Sequence, residues 1–290
     1  MKHRPDQYNW IIEQFNKIGI TPIIVAGQAV NLWSSLYREW DTRHNPTRPR
    51  IDDLLPLTSS DMEFLDTGIV HVLETFTGVV DVSKTVPFQH TTSPDLATIH
   101  LERNKETFKI QVMVQVLGAT NEEIIRNALP AKIRDGDQSV TVKVIDPITL
   151  LKCKIQNLLT LDQKVPTVRH DERHVKLSAC CIRAFIAQTA TNEKDEKATR
   201  HALNLIEAVR ELTKTKAAKQ VAKEHGIAWR NCIPLDIIEK LSEKDSKWQN
   251  FLRTYSDDEP GDQGGQRSSM TVAEAKRTIL KNNDNDIRRR

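Results

Sequence analysis

The chain has 290 residues and a mass of 33.1 kDa, with 38% hydrophobic and 28% charged residues, a net charge of +3 and a pI of about 8.6. That length holds two domains, or one domain with an appendage. No stretch approaches the roughly 20 apolar residues of a membrane span, and so weak a positive charge does not by itself indicate a nucleic-acid partner.

The N-terminus, MKHRPDQYNW, lacks the apolar run of a signal peptide, which points away from secretion. Cys153, Cys180, Cys181 and Cys232 show no CxxC spacing. They point away from zinc and fit a reduced, cytoplasmic setting. Residues 6–18 carry Trp10, Ile11, Phe15 and Ile18 at helical spacing, with Gly19 as a stop. ITPIIVA at 20–26 reads as a buried strand broken by Gly27, and QAVNLWSSLY at 28–37 reads as a helix. Residues 38–57 read as a polar surface excursion bearing Arg38, Arg43, Arg48 and Arg50.

TSSDMEFLD is the next strand. Asp61 and Glu63 alternate with Met62 and Phe64, so both carboxylates share one face. A helix at 68–76 follows, then the strands GVVDVSKTV, ATIHLER and TFKIQVMVQVL, the last two joined by a turn at Asn104–Lys105. The helix NEEIIRNAL and the strand SVTVKVID complete an α/β (α+β) half of mixed strands and helices over 1–147. After Pro147 the pattern is helical over 148–189, 193–224 and 235–254, a second domain spanning 148–255. From 256 the composition is that of a flexible, mostly disordered tail with one short helix before IRRR.

The chemistry-bearing pattern is a glycine bend between strand and helix followed by Asp61-x-Glu63. Two carboxylates about 7 Å apart along one strand face raise each other's pKa. A divalent cation between them removes that conflict. Mg2+, or Mn2+ in its place, takes a few carboxylates and completes its shell with waters and phosphates. The bend opens onto a helix N-terminus, whose free N–H groups favour a phosphate. Surface strands also carry alternating acids without any catalytic use.

VAGQAVNLWSSLY followed by PLTSSDMEFLD resembles the nucleotidyltransferase-fold family that includes abortive-infection (AbiEii-type) toxins. The resemblance continues in IQVMVQVLGATNEEI, in IDPITLLKCKIQNLLTL with its Lys154-x-x-x-Leu158 element, and in Asp171 and Lys176. It spans residues 20–180. It implies a nucleotidyltransferase-type mixed sheet flanked by helices, then a helical domain closing a cleft. It also implies nucleotidyl transfer from a nucleoside triphosphate to a hydroxyl of RNA, tRNA included, or of protein. Asp61 and Glu63 would bind the metal. Gly27, Gln28, Ser59 and Ser60 would lie near the triphosphate, Lys154 would neutralise phosphate charge, and Asp171 would orient Lys154 or the acceptor. A toxin or phage-defence role with a cognate antitoxin follows from the same likeness.

Three positions depart from the family pattern. Its first glycine is Ala26 here, its second acid is the longer Glu63, and its third carboxylate is Gln111, with Glu102 and Glu106 as substitutes nearby. A member without the third acid either turns over slowly or binds nucleotide or a partner without transfer. Outside this pattern, His170 and His174 stand i, i+4 as a weak metal pair. The arginines of 38–50 with Trp40 form either a solvated loop or an arm for RNA phosphates. The lysines at 194, 197, 214, 216, 219 and 223 suit helix surfaces or the same partner.

Overall fold

The computed structural model describes residues 2–84, 95–135, 138–161, 170–192 and 197–257. The chain divides into two compact units, Met1–Leu241 and Ser242–Arg290. The units part after Leu241, not after Pro147. In the first, the helices that follow Pro147 pack with the helix after the glycine bend instead of standing apart. Leucine spacing announces a helix but not what its apolar face will meet.

Seven strands form one mixed sheet in the order β3-β4-β5-β2-β1-β7-β6. They are β1 (Ile23–Ile24), β2 (Asp61–Leu65), β3 (Val79–Lys84), β4 (Asp95–Arg103), β5 (Glu106–Met113), β6 (Leu129–Asp135) and β7 (Gln138–Val144). The central β1 lies antiparallel to β2 and parallel to β7, and β2 lies parallel to β5. β1 is shorter than the apolar run at 20–26 implies, because the chain turns into a helix at Ala26. The hairpin between β4 and β5 turns at Asn104 and Lys105, with φ of 54° and 67°. That is the left-handed pair a two-residue hairpin requires. β6 is a strand the sequence pattern does not show. Pro130 interrupts its alternation, which an edge strand tolerates because one row of its backbone groups needs no partner.

Helices α1 (Asn9–Lys17), α2 (Ala26–His44), α3 (Val70–Leu73) and α4 (Asn121–Asn127) punctuate the strands. Met62 and Phe64 of β2 are fully buried with Phe108, Ile110 and Val112 of β5. Phe15 of α1 meets Phe64 edge-on at 5.6 Å between ring centroids. Burial of one such side chain is worth about 1.5–3 kcal/mol. α2 extends through residues 38–44, which the sequence assigns to a surface excursion. Its last turns carry exposed Arg38, Glu39, Thr42 and Arg43 on one side and, on the other, fully buried Asp41, which accepts from the Ile51 N–H at 2.7 Å.

The later helices of the first unit are α5 (Pro147–Thr160), α6 (Asp171–Ala190), α7 (Ala198–Lys214), α8 (Lys216–His225) and α9 (Leu235–Ser242). Thr215 caps α8 through its hydroxyl, and Gly226 ends it with a left-handed φ of 63°. Buried Arg183 of α6 donates to the Ile233 carbonyl at 2.9 Å and pairs with Asp236, tying α6 to α9. The second unit contains α10 (Ser246–Asp257). The tail expected from 256 lies outside the described residues from 258 onward. Among the described residues, no helix is long and apolar enough to cross a membrane.

Asp146 caps α5, accepting from the N–H groups of Ile148 and Thr149 at 3.0 Å each. Asp146→Ala is expected to cost about 1 kcal/mol of unfolding free energy. Urea denaturation checks this; a midpoint indistinguishable from that of the parent chain contradicts the capping role.

Candidate active site

Strand alternation sends Met62 and Phe64 into the core and leaves Asp61 and Glu63 together on the opposite face of β2. The register with β5 sets Lys109 beside Asp61 and Gln111 beside Glu63. Lys109 Nζ stands 3.4 Å from Asp61 Oδ2, and the Ser59 hydroxyl donates to Asp61 Oδ1 at 3.1 Å. Asp61 is therefore fixed from both sides.

The bend from β1 into α2 meets the second acid. Val25 N–H donates to the Glu63 carbonyl at 2.9 Å, joining the bend to β2. Ala26 then takes a left-handed φ of 53°. This is a conformation at which glycine is unstrained and an L side chain costs about 1–2 kcal/mol. The resemblance expects glycine at that residue, and the backbone here keeps the conformation with alanine in it. The next amides point outward: Gly27 N–H donates to Glu63 Oε2 at 2.9 Å, and Gln28 N–H lies 3.4 Å from the same oxygen. A Cβ at Gly27 would sit 3.3 Å from Ser59 Oγ, 3.4 Å from Glu63 Oε2 and 3.6 Å from His174 Cε1. Glycine keeps this corner open.

The helical side supplies a cation. Lys154 of α5 and Asp171, the first residue of α6, are 5% and 7% exposed, with Nζ 3.7 Å from Oδ1. Asp171 in a first helical turn also has the favourable end of the helix dipole. The Lys154 charge acts on Glu63 and on His174, so the ion pair borders the carboxylate corner.

Charge in this corner is not balanced. Burial first, and the neighbouring Asp61 second, push the Glu63 carboxyl up to about 8; Lys154 and the amides of Gln28 and Gly27 pull it partly back. Tyr8 is fully buried. Its phenol is held above its ordinary range, mostly by burial and then by the charges of Asp61 and Glu63. Asp61 has Lys109 beside it and Glu63 is only partly offset by Lys154; such a pair could hold a hard divalent cation that keeps waters and takes further oxygens from phosphate. Among the described residues, no group of three His, Cys, Asp or Glu is arranged to hold a metal.

The structure brings Asp61, Glu63, Gly27, Ser59, Lys154 and Asp171 to one region. Gln28 contributes only its backbone. Its side chain is fully buried, donating to the His3 carbonyl at 3.1 Å and accepting from Asn31 at 3.2 Å. Ser60 is exposed just before β2. Gln111 occupies the register position beside Glu63, and neither proposed substitute reaches it. Glu106 has the parity of the buried Phe108 and Ile110. Glu102 is exposed and pairs with Thr107, about 13 Å up β5 from Gln111 by strand rise. Lys176 pairs with Glu172, on another face of α6.

The arginines of 38–50 do not form a free basic arm. Arg38 pairs with Asp52 at 2.6 Å, Arg43 with Glu39 and Arg48 with Asp53, while Trp40 stacks on His44 at 5.2 Å. His170 and His174 are not a metal pair in this arrangement. His170 Nε2 lies 3.1 Å from Lys2 Nζ, and the two rings meet edge to face at 6.4 Å. The four cysteines are buried free thiols. Tyr8 and Lys109 border the acids without a sequence signal of their own. Lys109 could be found from the parity of β5 once its pairing with β2 is known.

No protein-family model matches this chain, and no curated protein matches its sequence.

The Glu63 carboxyl carries a pH signature. Its folded value of about 8 lies above the ordinary 4.5, so the folded chain holds this proton more tightly than the unfolded chain. The contribution is complete below the ordinary value and is lost as pH rises through the folded one. In metal-free buffer, unfolding free energy should fall between about pH 5 and pH 8, and Glu63→Gln should flatten part of that decline. Parallel profiles for the two proteins would contradict the raised carboxyl.

Proposed function

We propose that this chain is a divalent-cation-dependent nucleotidyltransferase, moving a nucleotidyl group from a nucleoside triphosphate to a hydroxyl of RNA or protein. The observation that carries the reading is a convergence. Two adjacent carboxylates on β2, the amides opening α2, and the buried Lys154–Asp171 pair come from four separate elements and border one corner. Carboxylates for a cation, a helix N-terminus for phosphate and a fixed lysine are the parts that phosphoryl-group chemistry needs.

In this reading Asp61 and Glu63 hold Mg2+ or Mn2+, which supplies charge neutralisation at the phosphate oxygens. The Gly27 and Gln28 amides, which here donate to Glu63, would be shared with the polyphosphate, and Lys154 would add a point charge to it, with Asp171 fixing the lysine side chain. The acceptor oxygen forms its bond to the α-phosphorus as the bond to pyrophosphate breaks, and the hydroxyl proton passes to water. Gln111 cannot take that proton, since an amide is not a base at neutral pH. Gln111 also favours a second reading, in which the chain binds nucleotide, or a partner such as an antitoxin, without transfer. RNA or tRNA as acceptor, and a toxin or phage-defence role, rest on the family resemblance. Arg38, Arg43 and Arg48 are paired with Asp52, Glu39 and Asp53, so an RNA contact on that segment would compete with these surface ion pairs.

Incubation with each labelled nucleoside triphosphate, Mg2+ and total RNA tests the reading. Label should move to RNA or to protein, and Asp61→Asn should lower the rate by roughly a hundredfold or more. Gln111→Asp, which restores a charged group beside Glu63, should raise it. Tight nucleotide binding with no transfer by the parent chain or by Gln111→Asp would establish the second reading instead.

A further inference from the structure

His174 is a buried side chain of this corner to which the proposed chemistry gives no role. It is 8% exposed, and neither Nδ1 nor Nε2 has a hydrogen-bond partner. A neutral imidazole carries one donor and one acceptor, and leaving either unmet in the interior costs on the order of 1–3 kcal/mol. Proteins seldom leave such a group unmet without a use for it. The ring is turned toward the bend: Cε1, the carbon between the two nitrogens, lies 3.6 Å from where a Gly27 Cβ would be.

The surroundings decide what the ring meets. Its charged neighbours are cations: Lys154 and Arg173, with burial, hold the imidazole well below its ordinary range. The α2 amides on the other side of Gly27 add partial positive charge. An anion rich in acceptor oxygens would satisfy the ring N–H, would share the amides that now donate to Glu63, and would face Lys154.

We infer that His174 is a phosphate-contacting residue, its ring N–H donating to a non-bridging oxygen of a polyphosphate seated at the N-terminus of α2. This deepens the proposed function and rests on it for the identity of the natural ligand. The same phosphoryl chemistry is offered by a nucleoside triphosphate and by inorganic pyrophosphate, the two polyphosphates of the reaction.

Histidine 15N NMR on the full chain tests this, with inorganic pyrophosphate and a nucleoside triphosphate titrated separately. Calorimetry on His174→Phe, which keeps a ring without a donor, and His174→Asn, which keeps a donor, completes the test. Pyrophosphate should shift the His174 ring nitrogens. His174→Phe should bind it on the order of tenfold more weakly, with His174→Asn recovering part of the loss. Unmoved His174 nitrogens at saturating pyrophosphate, or equal affinity in His174→Phe, would overturn the inference while leaving labelled transfer intact. Shifted nitrogens in a chain that transfers no label would support the phosphate contact and overturn the transferase reading. If neither ligand binds, both proposals fail.

Discussion

The site depends on one contact, the Glu63 carboxylate held at 2.9 Å on the first free amide of α2. A helix N-terminus attracts an anion, and here the anion is a side chain of the neighbouring strand. The contact requires β1 to stop after Ile24, so that the chain can turn at Ala26 and begin α2 beside β2. Glycine at 27 eases it, since an added Cβ would press on Ser59 Oγ at 3.3 Å. The longer glutamate, and not only the bend, is what lets an acid on β2 touch both the helix and the space beside Asp61.

The buried Lys154–Asp171 pair follows from the same arrangement. Two charges almost wholly removed from water gain little stability from each other, because desolvation offsets their attraction. Their value is positional. α5 is started by the Asp146 cap and α6 is tied down by Arg183, so the lysine borders the carboxylate corner on rigid elements. A phosphoryl site gains from a cation that need not be reorganised when the ligand arrives.

Much of this was legible in the residues. The alternation in β2 gave the shared face of Asp61 and Glu63, because a strand has period two and the buried Met62 and Phe64 fix its register. The hairpin at Asn104–Lys105 was legible for a similar local reason. The order of these patterns gave a half of mixed strands and helices; the mixed sheet with flanking helices came from the family resemblance. What depends on packing was not legible. β6 is an edge strand interrupted by Pro130, the last turns of α2 mix exposed charges with a buried Asp41 that holds the following segment, and helical spacing could not show that the later helices share a unit with the sheet. The arginines of 38–50 look like a basic arm until Asp52, Asp53 and Glu39 are seen beside them. His174 looked like half of a metal pair, and only the fold shows its ring turned to Gly27.

Crystals grown with Mn2+ and a non-hydrolysable nucleoside triphosphate would test the central arrangement most directly. An anomalous peak about 2.0–2.3 Å from carboxylate oxygens of both Asp61 and Glu63, with the polyphosphate lying over the Gly27 amide, is the expected result. Mn2+ and nucleotide bound away from these two acids, with the Glu63–Gly27 contact undisturbed, would contradict it.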